Sequence, residues 1–202
     1  MPEGPLIRRA RDDDAAATAR LLYLTSPGGF TLFGGSERGG LRLIERAFAT
    51  PGNDCAREVI TLAELGGEVA GVLSAFPADE GAERRRHFIR VTLRHRPPWR
   101  WLRIVRLGRA GSRRSPAPPP GSFYIDSLAT GGRFRRRGVA QALLAEAERL
   151  ARERGLGSLA LDTRESNSGA RALYERLGFE VSAKVPGAPP IPALVGYVKR
   201  LG

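Results

Sequence analysis

The sequence predicts an α/β fold, on three observations. Two apolar, β-branched runs at 59–65 and 69–76 are joined by Gly66-Gly67, the pattern of a hairpin. An apolar run at 123–129 leads through a Gly- and Arg-rich turn, 131–138, into a helical stripe. A further strand, a short helix and two more strands complete the chain, so strand and helix periods alternate as a helix-covered sheet requires.

At 202 residues the chain suits a single domain, and a chain of that size buries about 70% of its extended surface without help from disulfides or metals. A hydrophobic share of 42% and a charged share of 27% exclude a wholly disordered or fibrous protein. No run of 18 apolar residues offers a transmembrane helix, and Met1-Pro2-Glu3-Gly4 lacks the basic, then apolar, start of a secretory signal. The lone Cys55 allows neither an internal disulfide nor a cysteine-based zinc site. His87 and His95 are too few for a histidine cluster, so no metal is expected. These readings together predict a cytoplasmic protein.

In chain order, 6–10 reads as a short strand, and Asp12 to Asp14 offer N-caps for a helix through Leu24. Gly28-Gly29 and Gly34-Gly35 are expected to break the chain before a second helix at 41–48, where Leu41, Ile44, Ala47 and Phe48 keep helical spacing. Pro51-Gly52-Asn53-Asp54 reads as a turn before the hairpin. Beyond the hairpin and the strand at 123–129, Leu143, Leu144, Ala147, Leu150 and Ala151 form one stripe of a helix capped by Gly155. A strand at 156–161, a helix at 169–177 closed by Gly178, and strands at 179–184 and 194–200 follow.

Residues 79–121 interrupt this rhythm and read as an insertion between two strands. The run 84–114, opening on Arg84 and closing on Arg114, holds twelve arginines and no carboxylate, which equals the net charge of +12. Phe88, Ile89, Val91, Trp99, Trp101, Leu102, Ile104, Val105 and Leu107 are interleaved with the arginines, predicting one or two amphipathic helices around Pro97-Pro98. Pro116 and the prolines after it predict an extended exit. Four readings of the run stay open. It binds nucleic acid or an acidic membrane surface, steers an acidic partner toward a neighbouring cleft, buries Trp99 and Trp101 against the domain with its arginines in water, or makes a homodimer contact.

The most informative segment runs from Phe123 to Arg154. A helix that starts at a tight turn presents unpaired backbone N–H groups and the positive end of its dipole, a combination that binds phosphate oxygens. Gly138 lets the chain approach such a group closely, Ala140 keeps the first turn free of bulk, and Arg135, Arg136 and Arg137 add charge. A phosphate-bearing ligand is expected here. It is neither of the common nucleotide motifs, because no G-x-G-x-x-G follows this strand and no Gly-Lys-Ser or Gly-Lys-Thr occurs.

Arg135-Arg136-Arg137-Gly138-Val139-Ala140 resembles the R-x-x-G-x-G/A signature of the GCN5-related N-acetyltransferases (GNAT). Asn167, Ala170, Leu173, Tyr174, Gly178 and Phe179 are similar to a second pattern of that superfamily, N-x-x-A-x-x-L-Y-x-x-x-G-F, in the expected order and register. Ile125-Asp126-Ser127-Leu128-Ala129 and Arg164-Glu165-Ser166-Asn167 are loosely similar to ribosomal-protein alanine acetyltransferases. The first fifty residues and the insertion do not resemble that subfamily, so its substrate is not carried over.

The resemblance implies a mixed, mostly antiparallel sheet of six or seven strands with helices on both faces, and acetyl-CoA in an opening between the fourth and fifth strands. It implies that the Leu128 and Thr130 amides hold the cofactor arm and thioester, that Arg135, Arg136, Arg137, Gly138, Val139 and Ala140 form the pyrophosphate cradle, and that Asn167 bonds the arm. Thr130 and Gly132 stand where family members often carry an apolar residue and a proline. Tyr174 is the candidate acid for the departing thiolate, since a phenol pKa of about 10 lies above that of a thiol at about 8.5. Asp126 and Glu64, both on strands, are the candidate bases. The expected activity is direct acetyl transfer to a primary amine of a small molecule, protein N-terminus or lysine, in a ternary complex. The alternative is a non-catalytic module of the same fold that binds nucleic acid through the insertion.

Overall fold

The computed structural model describes residues 4–113, 115–189 and 191–202, so the expectations for Met1 to Glu3, for Arg114 and for the side chain of Leu107 lie outside the described residues. Seven strands form one sheet in the order β1-β2-β3-β4-β5-β7-β6. They are β1 (Leu6–Arg9), β2 (Ile60–Leu65), β3 (Glu68–Pro77), β4 (Phe123–Thr130), β5 (Ser158–Arg164), β6 (Glu180–Val185) and β7 (Leu194–Arg200). Every neighbouring pair is antiparallel except β4 and β5, which run parallel.

Helices cover both faces because the central strands are apolar on both sides. On one face lies α6 (Val139–Glu153), which buries Leu143, Leu144, Ala147 and Leu150 against Phe123, Ile125, Leu159 and Tyr197. The short α7 (Ser168–Arg176) joins the same cluster through Tyr174. On the other face, α1 (Ala15–Thr25) and α3 (Glu37–Phe48) bury Leu22, Leu43, Ile44 and Phe48 against Ile60, Leu62 and Val72. Ser36 caps α3 by accepting a hydrogen bond from the Gly39 amide at 3.0 Å, and Glu37 favours the positive end of that helix.

The expected break at 27–35 is a helix, α2 (Pro27–Gly34). Pro27 stands at the start, where its missing N–H costs nothing. Phe30 and Phe33 then anchor the turn on Phe88, with ring centroids 6.2 and 5.8 Å apart. The glycines serve packing as well as termination: a Cβ on Gly34 would lie 2.1 Å from the Gly40 amide nitrogen, so only glycine lets α2 and α3 approach this closely.

Between β3 and β4 the chain forms α4 (Gly81–Arg94) and α5 (Trp101–Arg113), separated by the Pro97-Pro98 corner. Phe88 and Val91 of α4 and Ile104 of α5 are buried. Trp99 and Trp101 are exposed, so of the four open readings the one that buries them against the domain is not what the structure shows. Ile104 packs inward from α5, while Trp99, in the turn after Pro97-Pro98, and Trp101, at the first position of α5, stay outside the core.

Two irregularities of β4 shape the centre of the molecule. Its parallel pairing with β5 covers only Phe123, Tyr124 and Ile125, opposite Leu159, Ala160 and Leu161, after which the strands part. On its other edge, Ser127 faces Ser74 and Ile125 faces Ala75, which leaves Asp126 as the extra residue of a β-bulge.

Candidate active site

Where β4 and β5 part, a cleft of about 1910 Å³ opens, lined by β4, β5, α1, α2, the first turn of α6 and α7, with α4 and α5 at its side. A single small ligand needs roughly 300–1000 Å³, so there is room for two substrates side by side.

The C-terminal wall is built from backbone. The Gly131 amide donates to the Ala70 carbonyl of β3 at 2.9 Å. Strand alternation then turns the Leu128 and Thr130 amides the other way, toward the side where β5 has left. The chain next enters α6 through Arg136 at φ 59° and Gly138 at φ 79°. Only a residue without Cβ adopts the second without strain, and no atom lies within 4 Å of where that Cβ would be. The α6 amides after Gly138 therefore face open space at a helix N-terminus, with Arg135, Arg136, Val139, Ala140 and Gln141 around them in the cleft lining. This arrangement fits a pyrophosphate. Arg137 is exposed and does not line the cleft.

Asn167 lines the cleft and also caps α7: its Oδ1 accepts from the Ala170 amide at 3.3 Å, and its Nδ2 donates to Thr163 Oγ1 at 3.3 Å. Tyr174 lines the cleft from α7 and is otherwise buried, its ring 5.7 Å from Phe179 and 5.8 Å from Tyr197. Burial, aided by the Asp162 carboxylate, pushes its hydroxyl up to about 12, so it holds its proton at neutral pH.

The opposite wall works through side chains. Asp126, turned by the bulge, meets Asp54 from the turn before β2 and Asp162 from β5, with Arg85 of α4 beside them. Burial raises the pKa of both Asp126 and Asp54 above the ordinary carboxylate range. The Asp126 charge further raises Asp54 and the Asp162 charge further raises Asp126, while the Arg85 charge opposes both. One Asp54 oxygen is buried without a hydrogen-bond partner. Asp162 is also raised by burial, against the hydrogen bond it accepts from the Tyr124 hydroxyl at 2.6 Å. Among the described residues, no three of His, Cys, Asp and Glu are arranged to hold a metal ion.

Glu64 stands apart from these groups, and here the expectation of a second base is corrected. Its carboxylate is held by Arg8 at 2.6 Å, and Arg8 is also bound to Asp14 at 2.7 Å. Glu64 faces β1 at the sheet's edge and is absent from the cleft lining. Cys55 is buried, and desolvation followed by the Asp54 and Asp126 charges pushes its thiol up, the reverse of what a nucleophile needs.

Asp54, Arg85, Asp162 and Tyr124 were not legible as site residues. Asp54 reads as a turn residue, Arg85 as one of twelve arginines, and the other two as ordinary strand positions. No local pattern announces a bulge at Asp126.

The sequence matches the model of the acetyltransferase (GNAT) family over residues 41–179. This chain belongs to the GNAT acetyltransferase family. A stretch of 66 residues is 38% identical to the chloroplastic GCN5-related N-acetyltransferase 4 of Arabidopsis thaliana, taking in 33% of this chain and 22% of that relative. A crystal structure described as an acetyltransferase superposes with a TM-score of 0.73 at 25% identity, covering 98% of this chain and 100% of the other. An N-acetyltransferase from Staphylococcus aureus Mu50 shares the fold, with a TM-score of 0.71 at 18% identity over 96% of this chain and 99% of its own.

Proposed function

We propose that this protein moves an acetyl group from acetyl-CoA to a primary amine, of a small molecule or of a protein N-terminus or lysine, by direct attack within a ternary complex. The observation that carries the reading is the parting of β4 from β5. It leaves unpaired amides and a helix N-terminus on one wall of a cleft whose other wall holds Asp126. Family membership supports acetyl-CoA as the co-substrate.

Acetyl-CoA supplies the activated thioester; the rest is the work of this chain's residues. Gly138, Val139 and Ala140, with Arg135 and Arg136, hold the pyrophosphate, and Asn167 stands along the arm. The Leu128 and Thr130 amides are placed to bond the thioester region, where fixed donors favour developing negative charge. Asp126 takes the proton of the incoming ammonium. Its pKa, raised by burial and by the Asp162 charge, makes it a stronger base than an ordinary carboxylate. The Tyr174 hydroxyl gives its proton to the departing thiolate and regains one as the nitrogen sheds its second proton on becoming an amide, so the two protons end on Asp126 and on the thiol. Holding both reactants in one cleft supplies an effective molarity of roughly 10⁵–10⁸ M.

The test is a calorimetric titration of the protein with acetyl-CoA, followed by thiol-release assays across a panel of primary amines. Saturable binding that is lost in Arg135→Glu/Gly138→Trp, with amine-dependent thiol release, is the expected result. Unchanged affinity in that double variant would remove the cradle assignment.

A further inference from the structure

The corner between α4 and α5 presents a surface that the cleft does not use. Trp99 is 81% exposed, Leu102 62% and Trp101 45%. Trp101 is held there by hydrogen bonds. The Trp101 Nε1 donates to the Arg96 carbonyl at 2.9 Å, and the Arg96 guanidinium donates in turn to the Gly34 carbonyl at the end of α2. Around them Arg94, Arg100, Arg103, Arg106 and Arg109 are exposed, in a run with no carboxylate to neutralise them.

We propose that this corner docks the protein on an anionic phospholipid surface. Indole rings favour the level of lipid headgroups, where one edge is apolar and the other wet. Leu102 gains from the acyl boundary beneath, and the surrounding arginines meet the lipid phosphates. A nucleic acid would satisfy the charge and the rings, but it gives an exposed leucine nothing to do. Lipid accounts for all three features together. Among the described residues no helix is long and apolar enough to cross a membrane, so the contact is peripheral. Gly108 and Ala110 of α5 line the cleft. At 1.5 Å per residue, docking sets the cleft's side within about 20 Å of the bilayer.

Trp99 and Trp101 are the only two tryptophans in the chain, so intrinsic indole emission reports on this corner alone. The experiment mixes the full-length protein with phosphatidylcholine vesicles, with and without phosphatidylglycerol, and measures emission wavelength and co-sedimentation. A blue shift and co-sedimentation with the anionic vesicles only, both weakening as salt rises, are expected. Arg103→Gln/Arg106→Gln/Arg109→Gln loses about a hundred-fold in vesicle affinity, at roughly one kcal/mol per arginine. Trp99→Ser/Leu102→Ser also loses binding, while both variants keep wild-type acetyl-CoA affinity as a check on folding. Absence of binding to anionic vesicles overturns the proposal. So does tight single-stranded RNA binding that is lost in Trp99→Ser/Leu102→Ser while those substitutions leave vesicle binding unchanged, since that result assigns the corner to nucleic acid.

Discussion

The two walls of the cleft are made in different ways. One, from β4 into α6, acts through main-chain amides and a glycine at positive φ. The other gathers Asp54, Arg85, Asp126 and Asp162 from a turn, a helix and two strands. Main-chain chemistry depends on local conformation, so it leaves a compact trace of spaced glycines and small residues. Side chains that converge through tertiary packing leave no such trace. The first wall was therefore legible in the sequence, and most of the second was not.

Substitutions can separate the walls. The largest effect is expected for Arg135→Glu/Gly138→Trp, which places a bulky side chain at φ 79° in the cradle and reverses a neighbouring charge. Acetyl-CoA affinity should fall by about a hundred-fold or more in calorimetry, at roughly 1–2 kcal/mol for the strained residue alone with the lost anion contacts added. Asp126→Asn should leave that affinity intact and lower kcat by about 10²–10⁴, the usual worth of a positioned base. A loss of cofactor binding in this variant would erase the distinction between the walls. Tyr174→Phe should keep acetyl-CoA affinity and lower kcat by about 10², measured by thiol release at saturating amine.

The pH dependence sharpens the comparison on the side-chain wall. Because Asp126 is raised above the ordinary carboxylate range, the acid limb of kcat/KM should lie above the usual value of about 4. Asp162→Asn should move it down, by removing the neighbouring charge that raises Asp126. Asp54 acts on stability with a definite sign. A raised native pKa means the folded protein binds the Asp54 proton more tightly than the unfolded chain does, so stability declines as pH climbs from the ordinary carboxylate value through the raised one. Asp54→Asn should therefore raise Tm by about 2–6 °C at pH 8, for about 1–2 kcal/mol, and change it little at pH 4. Equal shifts at both pH values would show that the carboxylate is not the cause.

The smallest effect is expected at Glu64. Glu64→Gln should leave kcat within about two-fold and lower stability by about 1 kcal/mol, as one partner of a half-buried ion pair is neutralised. Thermal melts and steady-state assays together separate it from Asp126.

Much of the fold was legible because burial imposes periods. The stripe Leu143, Leu144, Ala147, Leu150 and Ala151 is the buried face of α6, and β7 spans the residues whose pattern predicts it. The helix at 27–34 was not legible. Gly28-Gly29 and Gly34-Gly35 carry the same letters whether a chain breaks or two helices meet without Cβ atoms between them, and only the partner Gly40 decides. At the site, the glycine and the asparagine of the two motifs stand in the cleft lining, whereas Glu64 and Asp126 look alike as strand acids. Arg8 holds the one at the sheet's edge, and a bulge turns the other inward.

The short seam between β4 and β5 has a kinetic signature. Leu128 and Thr130 belong to a central strand of a seven-stranded sheet, yet their amides face a side with no strand to bond. In deuterated water these two positions should exchange at rates typical of a loop, while the Gly131 amide, bonded to the Ala70 carbonyl, exchanges slowly. A ligand seated in the gap would slow the fast pair and leave the slow one as it was, making the seam its own reporter of occupancy.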